Sequence, residues 1–265
     1  MPVSATERCV VRKAVKRRGP PLLFVHGAYV GAWCWERHFL DYFAALGHDS
    51  HAVDLRGHAA GETGNDLSSI DDYVADVLLA AESLDEPPVL IGHSMGAVVV
   101  QRAWRRARAP GFSLLAPVPP QGLLASSAML ALNSPEIFNE INGLQISDYY
   151  HGSPALLRQA IFSPTLAEDE AMTSLRRMRH ESQRALIDLS WPQYFWIDKA
   201  DGRVPVQVIG AADDLLFPPP LVETAAALHG IEAEILPGIA HAMMLDTRWR
   251  DAAASIERWL KSFAP

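Results

Sequence analysis

Six short apolar runs, each closed off by Gly, Pro or Asp, alternate along much of this chain with stretches long enough for helices, and few folds accept that order. The runs are residues 22–25, 51–53, 89–91, 112–115, 206–209 and 233–236. They are dominated by apolar residues, as expected of buried strands covered on both faces, which is the condition of parallel strands in a layered domain. Between them lie candidate crossover helices at 35–45, 70–83, 95–107 and 220–228. In the second of these, Ile70, Val74, Val77, Leu78 and Ala81 recur at helical spacing and form one apolar face. The predicted class is therefore α/β, with a mostly parallel central sheet flanked by helices.

The rhythm breaks between 118 and 200. After Pro117-Val118-Pro119-Pro120 and Gly122, helical segments are expected at 123–132, 135–141, 154–162, 166–178 and 181–189, and no strand is. This predicts a core made of residues 1–117 and 201–265 with an all-helical cap, 118–200, inserted between two strands. A final helix at 249–263 carries Ile256, Trp259, Leu260 and Phe263 on one face for docking. With 265 residues, 49% of them hydrophobic, the chain can bury one core and such an insertion.

Charge and cysteine content exclude several classes of function. A formal charge of −8 argues against nucleic acid as a partner, because such binding draws its affinity from Lys and Arg on phosphates. Cys9 and Cys34 make no disulfide framework, which points to the reducing cytoplasm. Arg12, Lys13, Lys16, Arg17 and Arg18 precede an apolar run far too short for a signal peptide, so the segment reads as a polar hairpin. No apolar run approaches the ~18 residues a bilayer-crossing helix needs, so no membrane insertion is expected. A small-molecule substrate remains as the expected partner, for a monomer or homodimer.

The chemistry sits where the run 89–91 meets the stretch 95–107, at Gly92-His93-Ser94-Met95-Gly96. Gly-x-Ser-x-Gly between a strand and a helix forces its central residue into a strained turn and lifts the hydroxyl clear of the backbone. The flanking glycines remove Cβ atoms that would collide in so tight a bend. The helix aims its positive end at the same spot. Ser94 is thus the candidate nucleophile. Its hydroxyl needs a base, and the base needs a partner that fixes its tautomer. Such groups belong at the carboxyl ends of later strands. Run 206–209 leads into Gly210-Ala211-Ala212-Asp213-Asp214, and run 233–236 leads into Pro237-Gly238-Ile239-Ala240-His241. His241 is the candidate base, and Asp213 or Asp214 is its partner.

Together with Phe24-Val25-His26-Gly27-Ala28, these segments make the chain resemble α/β-hydrolase-fold enzymes that carry a helical cap. The resemblance implies an oxyanion hole built from the backbone N–H groups of Ala28 and Met95. It also favours Asp214 as the acid, nine residues beyond Pro205 and four before Pro218, while a count from Gly210 gives Asp213. The turn Asp54-Leu55-Arg56-Gly57-His58 resembles a scaffolding turn of that family, with Arg56 holding loops beneath the site. His26 is expected to be a structural hydrogen bonder, and His93 to pack or hydrogen-bond behind the nucleophile.

The implied activity is hydrolysis of a carboxylic ester or thioester of a small to medium, largely apolar substrate. Tyr29, Met129, Phe138, Trp191, Phe195 and Met243 are expected to contact it, with Tyr149, Tyr150, Tyr194 and Trp196 as further possible walls. The segment 26–33 also resembles that of hydroxynitrile lyases, so C–C bond cleavage on the same fold is an alternative, as is a non-catalytic small-molecule receptor. No His-Glu-x-x-His, Cys-x-x-Cys or Gly-x-Gly-x-x-Gly pattern occurs, and neither a metal nor a cofactor is implied.

Overall fold

Leu22, Leu23, Phe24 and Val25 are all fully buried. Leu22 and Phe24 enter one core cluster, Leu23 and Val25 the other. That alternation is what a strand covered on both faces requires. In the computed structural model, which describes residues 8–60, 62, 67–146, 152–200 and 202–263, this strand is β2 (Leu22–Val25) of a seven-stranded sheet. The others are β1 (Cys9–Arg12), β3 (Ser50–Val53), β4 (Val89–His93), β5 (Phe112–Leu115), β6 (Val206–Ala211) and β7 (Glu234–Leu236). Their order is β1-β3-β2-β4-β5-β6-β7. Every pairing is parallel except that of β1 with β3.

This order places a functional crevice. From β2 the chain goes to β3 on one side, then returns to β4 on the other, so the loops leaving β2 and β4 diverge. In open parallel sheets the crevice at that switch, beyond the carboxyl ends of the strands, is where ligands bind. The helices on the core are α1 (Trp33–Glu36), α2 (Phe39–Leu46), α3 (Ile70–Glu82), α4 (Met95–Ala103), α10 (Pro219–Leu228) and α11 (Trp249–Phe263). Helix α4 runs Met-Gly-Ala-Val-Val-Val-Gln-Arg-Ala and is buried on nearly every face, as its lack of a polar stripe demands.

Between β5 and β6 lie α5 (Leu123–Asn133), α6 (Pro135–Ile146), α7 (Pro154–Ile161), α8 (Glu168–Leu175) and α9 (Gln183–Ser190), with no strand among the described residues. Tyr149 and Tyr150 lie outside the described residues. No described helix is long and apolar enough to cross a membrane.

Two local expectations are corrected. The basic N-terminal segment is not a hairpin on itself: Cys9–Arg12 crosses to pair antiparallel with β3. It is half-buried along its length and anchored by Lys13 Nζ to Asp49 at 2.9 Å. An edge strand with one covered face leaves too short an apolar signature to register as a run. The stretch 35–45 is two helices, because His38, at φ −140° and ψ −51°, breaks the helical path between α1 and α2.

Candidate active site

Ser94 stands between β4 and α4 at φ 53° and ψ −118°, left-handed backbone that a non-glycine residue adopts only when its surroundings impose it. The glycines explain how the bend closes. A Cβ on Gly92 would lie 2.5 Å from the Gly96 carbonyl oxygen, and one on Gly96 would lie 2.4 Å from that of His26. Ser94 N–H donates to Leu115 O at 2.9 Å, which locks the turn to β5.

His241 and Asp214 come together from the ends of β7 and β6. His241 Nδ1 lies 2.8 Å from Asp214 Oδ2. A carboxylate only accepts, so Nδ1 carries the proton and the Nε2 lone pair is left facing the other way. The second oxygen of Asp214 accepts from Leu216 N at 2.8 Å and Phe217 N at 2.9 Å. Asp214 is buried while Asp213 is exposed, so the structure joins only Asp214 to the imidazole. Ser94 Oγ makes no hydrogen bond to His241 here, although both side chains line one cavity. Such contacts commonly tighten only when substrate is bound.

Ala28 and Met95 line that cavity too. Among the described residues neither of their N–H groups has a hydrogen-bond acceptor. Met95 is the first residue of α4, where an unpaired amide is expected. The neighbouring Tyr29 amide is engaged, donating to Glu181 Oε2 at 3.3 Å.

The remaining histidines near the site are structural. His93 Nε2 donates to the carbonyl of His241 at 2.9 Å, bracing the loop that carries the imidazole. Burial, then the neighbouring His241, holds its pKa well below the usual histidine value, so it stays neutral. His26 Nδ1 donates to Gly27 O at 2.8 Å and its Nε2 accepts from Leu55 N at 3.1 Å. Burial lowers its pKa to about 3. Arg56 does not reach the site; it pairs with Asp76 at 2.7 Å and Asp72 at 3.0 Å, tying its turn to α3.

The inserted helices supply much of the cavity lining, which on this side is mostly apolar apart from Ser126, Ser127 and Ser174. Of the residues expected to contact substrate, Tyr29 lines the cavity and the other five do not. Trp191 and Phe195 are 59% and 88% exposed. Met243 is fully buried in the core, and its neighbour Met244 faces the cavity instead. Met129 points outward, because the inward face of α5 is Leu123, Ser126, Ser127 and Leu130. That spacing is helical, but two serines interrupt its apolar pattern and hide it from a reading that seeks large side chains. Phe138 packs against the core cluster. Phe162, Met178 and Leu186 line the cavity as well, and nothing in the local sequence singles them out as contacts. Among the described residues no group of three or more His, Cys, Asp or Glu side chains could hold a metal ion.

A strand-to-helix elbow at the switch point of a mostly parallel sheet, under inserted helices, defines an α/β-hydrolase-type architecture. The chain belongs to the alpha/beta hydrolase family, whose model matches residues 22–255. It is similar to Methyl jasmonate esterase 1 of Vitis vinifera, 36% identical over 97 residues, covering 35% of this chain and 36% of that protein. It is also similar to Esterase PIR7B of Oryza sativa subsp. japonica, 28% identical over 178 residues, covering 58% of this chain and 63% of that protein. The match thus spans about a third of the grape relative's length. Among solved structures, Rv0554 from Mycobacterium tuberculosis superposes with a TM-score of 0.73 at 24% identity, over 97% of this chain and 94% of that one, a likeness of fold.

Proposed function

We propose that this protein is a serine hydrolase acting on a carboxylic ester or thioester of a small to medium, largely apolar substrate. The observation that carries the reading is the 2.8 Å contact of His241 with Asp214 at the wall of the cavity that also holds Ser94. In this reading His241 Nε2 takes the proton of Ser94 Oγ as that oxygen attacks the carbonyl carbon. Asp214 holds the tautomer and stabilises the imidazolium. The carbonyl oxygen, now an anion, is held by the Ala28 and Met95 N–H groups, donors already in place before charge develops. His241 returns the proton to the departing alcohol or thiol. Water, activated by the same base, then releases the acid and restores Ser94. Residues 118–200 act as a cap that excludes bulk water and shapes an apolar acyl or alcohol site. The esterase names of the two plant relatives support the same class of reaction.

The test is labelling by a fluorophosphonate, followed by turnover of nitrophenyl esters of increasing chain length. Ser94 should label stoichiometrically, and Ser94→Ala and His241→Ala should each lose at least ~10³-fold in turnover. Asp214→Asn should cripple turnover while Asp213→Asn leaves it near native. Labelling without any ester turnover counts against the hydrolase and in favour of C–C cleavage or ligand reception.

A further inference from the structure

The loop that carries Ala28 is held from the side of the inserted helices. Tyr29, the next residue, has φ 66°, a left-handed conformation that a tyrosine keeps only under constraint. Both polar groups of its backbone are bound by a single short segment of the insertion. Its carbonyl accepts from Arg179 N at 2.8 Å, and its N–H donates to Glu181 Oε2 at 3.3 Å.

Glu181 is itself immobilised. It is fully buried, and its Oε1 accepts from the Tyr73 hydroxyl at 2.6 Å and from Ser182 N at 2.8 Å. Its Oε2 also meets His58 Nε2 at 3.0 Å. The other ring nitrogen of His58 faces Arg56 O at 3.1 Å. Both partners of this ring are acceptors, so both nitrogens donate and His58 is a cation. The result is an ion pair buried on both sides, with the carboxylate's remaining capacity spent on three further donors. It links the turn after β3, helix α3 and the insertion to one backbone amide beside the cavity.

We propose that Glu181 is a positioning residue for acyl transfer: by holding the Tyr29 N–H it fixes the Ala28–Tyr29 peptide and so limits the backbone rotation at Ala28 that would swing the adjoining Gly27–Ala28 peptide, and with it the Ala28 N–H, away from the developing oxyanion. The proposal rests on the hydrolase reading above. With the Tyr29 amide committed to a carboxylate, the Ala28 amide is the donor this loop presents to the reacting carbonyl. Two fixed points on Tyr29 restrict the rotation that would turn Ala28 away. Donors held in advance need no rearrangement as charge forms. Glu181 does not line the cavity, so its effect should fall on the transition state and leave ground-state binding unchanged.

Two variants test this. Glu181→Gln keeps the shape and a neutral acceptor; the double variant Glu181→Leu with His58→Leu removes the ion pair and fills its space, an exchange that buried pairs often tolerate. Removing an oxyanion donor outright costs about 10²–10³ in kcat, so loosening one should cost about 10-fold to 100-fold in the double variant and at least about 3-fold in Glu181→Gln. KM should stay within about 2-fold, since uniform binding is untouched. Inhibition by a trifluoromethyl ketone, which forms the oxyanion on Ser94, should weaken by the same factor as kcat. Inhibition by the product carboxylic acid should not change. A folded Glu181→Gln protein with native kcat and native trifluoromethyl ketone affinity overturns the proposal, as does equal weakening of both inhibitors. Should the double variant not fold, Glu181→Gln decides alone. If Ser94→Ala retains turnover, the hydrolase reading fails; if Ser94→Ala is inactive and Glu181→Gln is native, only the role of Glu181 fails.

Discussion

At the scale of single residues, the elbow trades stability for geometry. Ser94 holds a backbone conformation that costs on the order of 1–3 kcal/mol in any residue with a side chain. Ser94→Gly should therefore unfold at higher urea than Ser94→Ala, by about 1 kcal/mol, since glycine relieves that strain and alanine retains it. Equal midpoints for the two would mean that the turn is not strained. Gly96 is constrained oppositely: a methyl group there would meet two backbone oxygens, of His26 and Val25, at 2.4 and 2.5 Å. Backbone cannot step aside, so Gly96→Ala should lose about 1–3 kcal/mol by overpacking. Urea unfolding of that variant checks the figure. Ser94 is legible in the amino-acid order, because strand, Gly-x-Ser-x-Gly and helix are adjacent in the chain. Asp214 is favoured over Asp213 only through the family resemblance, by its spacing from Pro205 and Pro218, because neighbouring side chains on one loop differ only in direction, and direction is set by contacts with β7 and His241.

At the scale of elements, helix starts and loop anchors hold the site in place. Helix α3 opens with a capping box: Asp72 N donates to Ser69 Oγ at 3.2 Å and Ser69 N donates to Asp72 Oδ2 at 2.9 Å. Ser69→Ala should lower stability by about 1 kcal/mol, measurable as a shift in thermal midpoint. The loop bearing His241 is anchored by Asp246, fully buried, which accepts from Ser163 Oγ at 2.6 Å, Ser163 N at 2.8 Å and Ala240 N at 3.3 Å. Ala242 N also donates to Ile161 O at the end of α7, at 3.0 Å. Asp246→Ala strands several buried donors at once and should cost at least about 3 kcal/mol. A variant that unfolds at the native urea concentration would show those bonds to be dispensable. The helices of the insertion are readable from their punctuation, although the residues they turn toward the cavity are not. Helical spacing gives a face, and only packing against the sheet says which face looks inward.

For the whole molecule, burial of histidines sets the response to acid. Burial depresses His26 to about 3, and His51 and His229 to about 4. Each is lower folded than unfolded, so between those values and the ordinary 6.5 the unfolded chain binds more protons. Stability should therefore fall steadily as pH drops from about 6.5 toward 4. Glu181, held below its ordinary value despite burial by His58 and its hydrogen bonds, contributes stability above the carboxylate range that is lost as pH falls through its lowered value. His58 runs the other way: its pKa is raised, against the cost of burial, chiefly by Glu181. Its contribution is complete below 6.5 and lost as pH climbs past the raised value. Urea midpoints at pH 7 and pH 5 test the balance, and a midpoint that does not drop at pH 5 would contradict the dominance of the depressed histidines.

What the amino-acid order determined alone is whatever depends on near neighbours. The alternation of runs and helices, the elbow and the break in rhythm after Pro117 all follow from local sterics and local patterns of burial. Tertiary structure decided the matters that depend on distant partners meeting. β1 crosses to β3, Asp214 rather than Asp213 reaches His241, and Met244 rather than Met243 faces the cavity. Glu181, in a polar stretch with the pattern of an ordinary helix start, lies against His58, 123 residues away in sequence. Such pairings carry no periodic signature, because a hydrogen bond between remote side chains is specified by the packing of the elements that bear them.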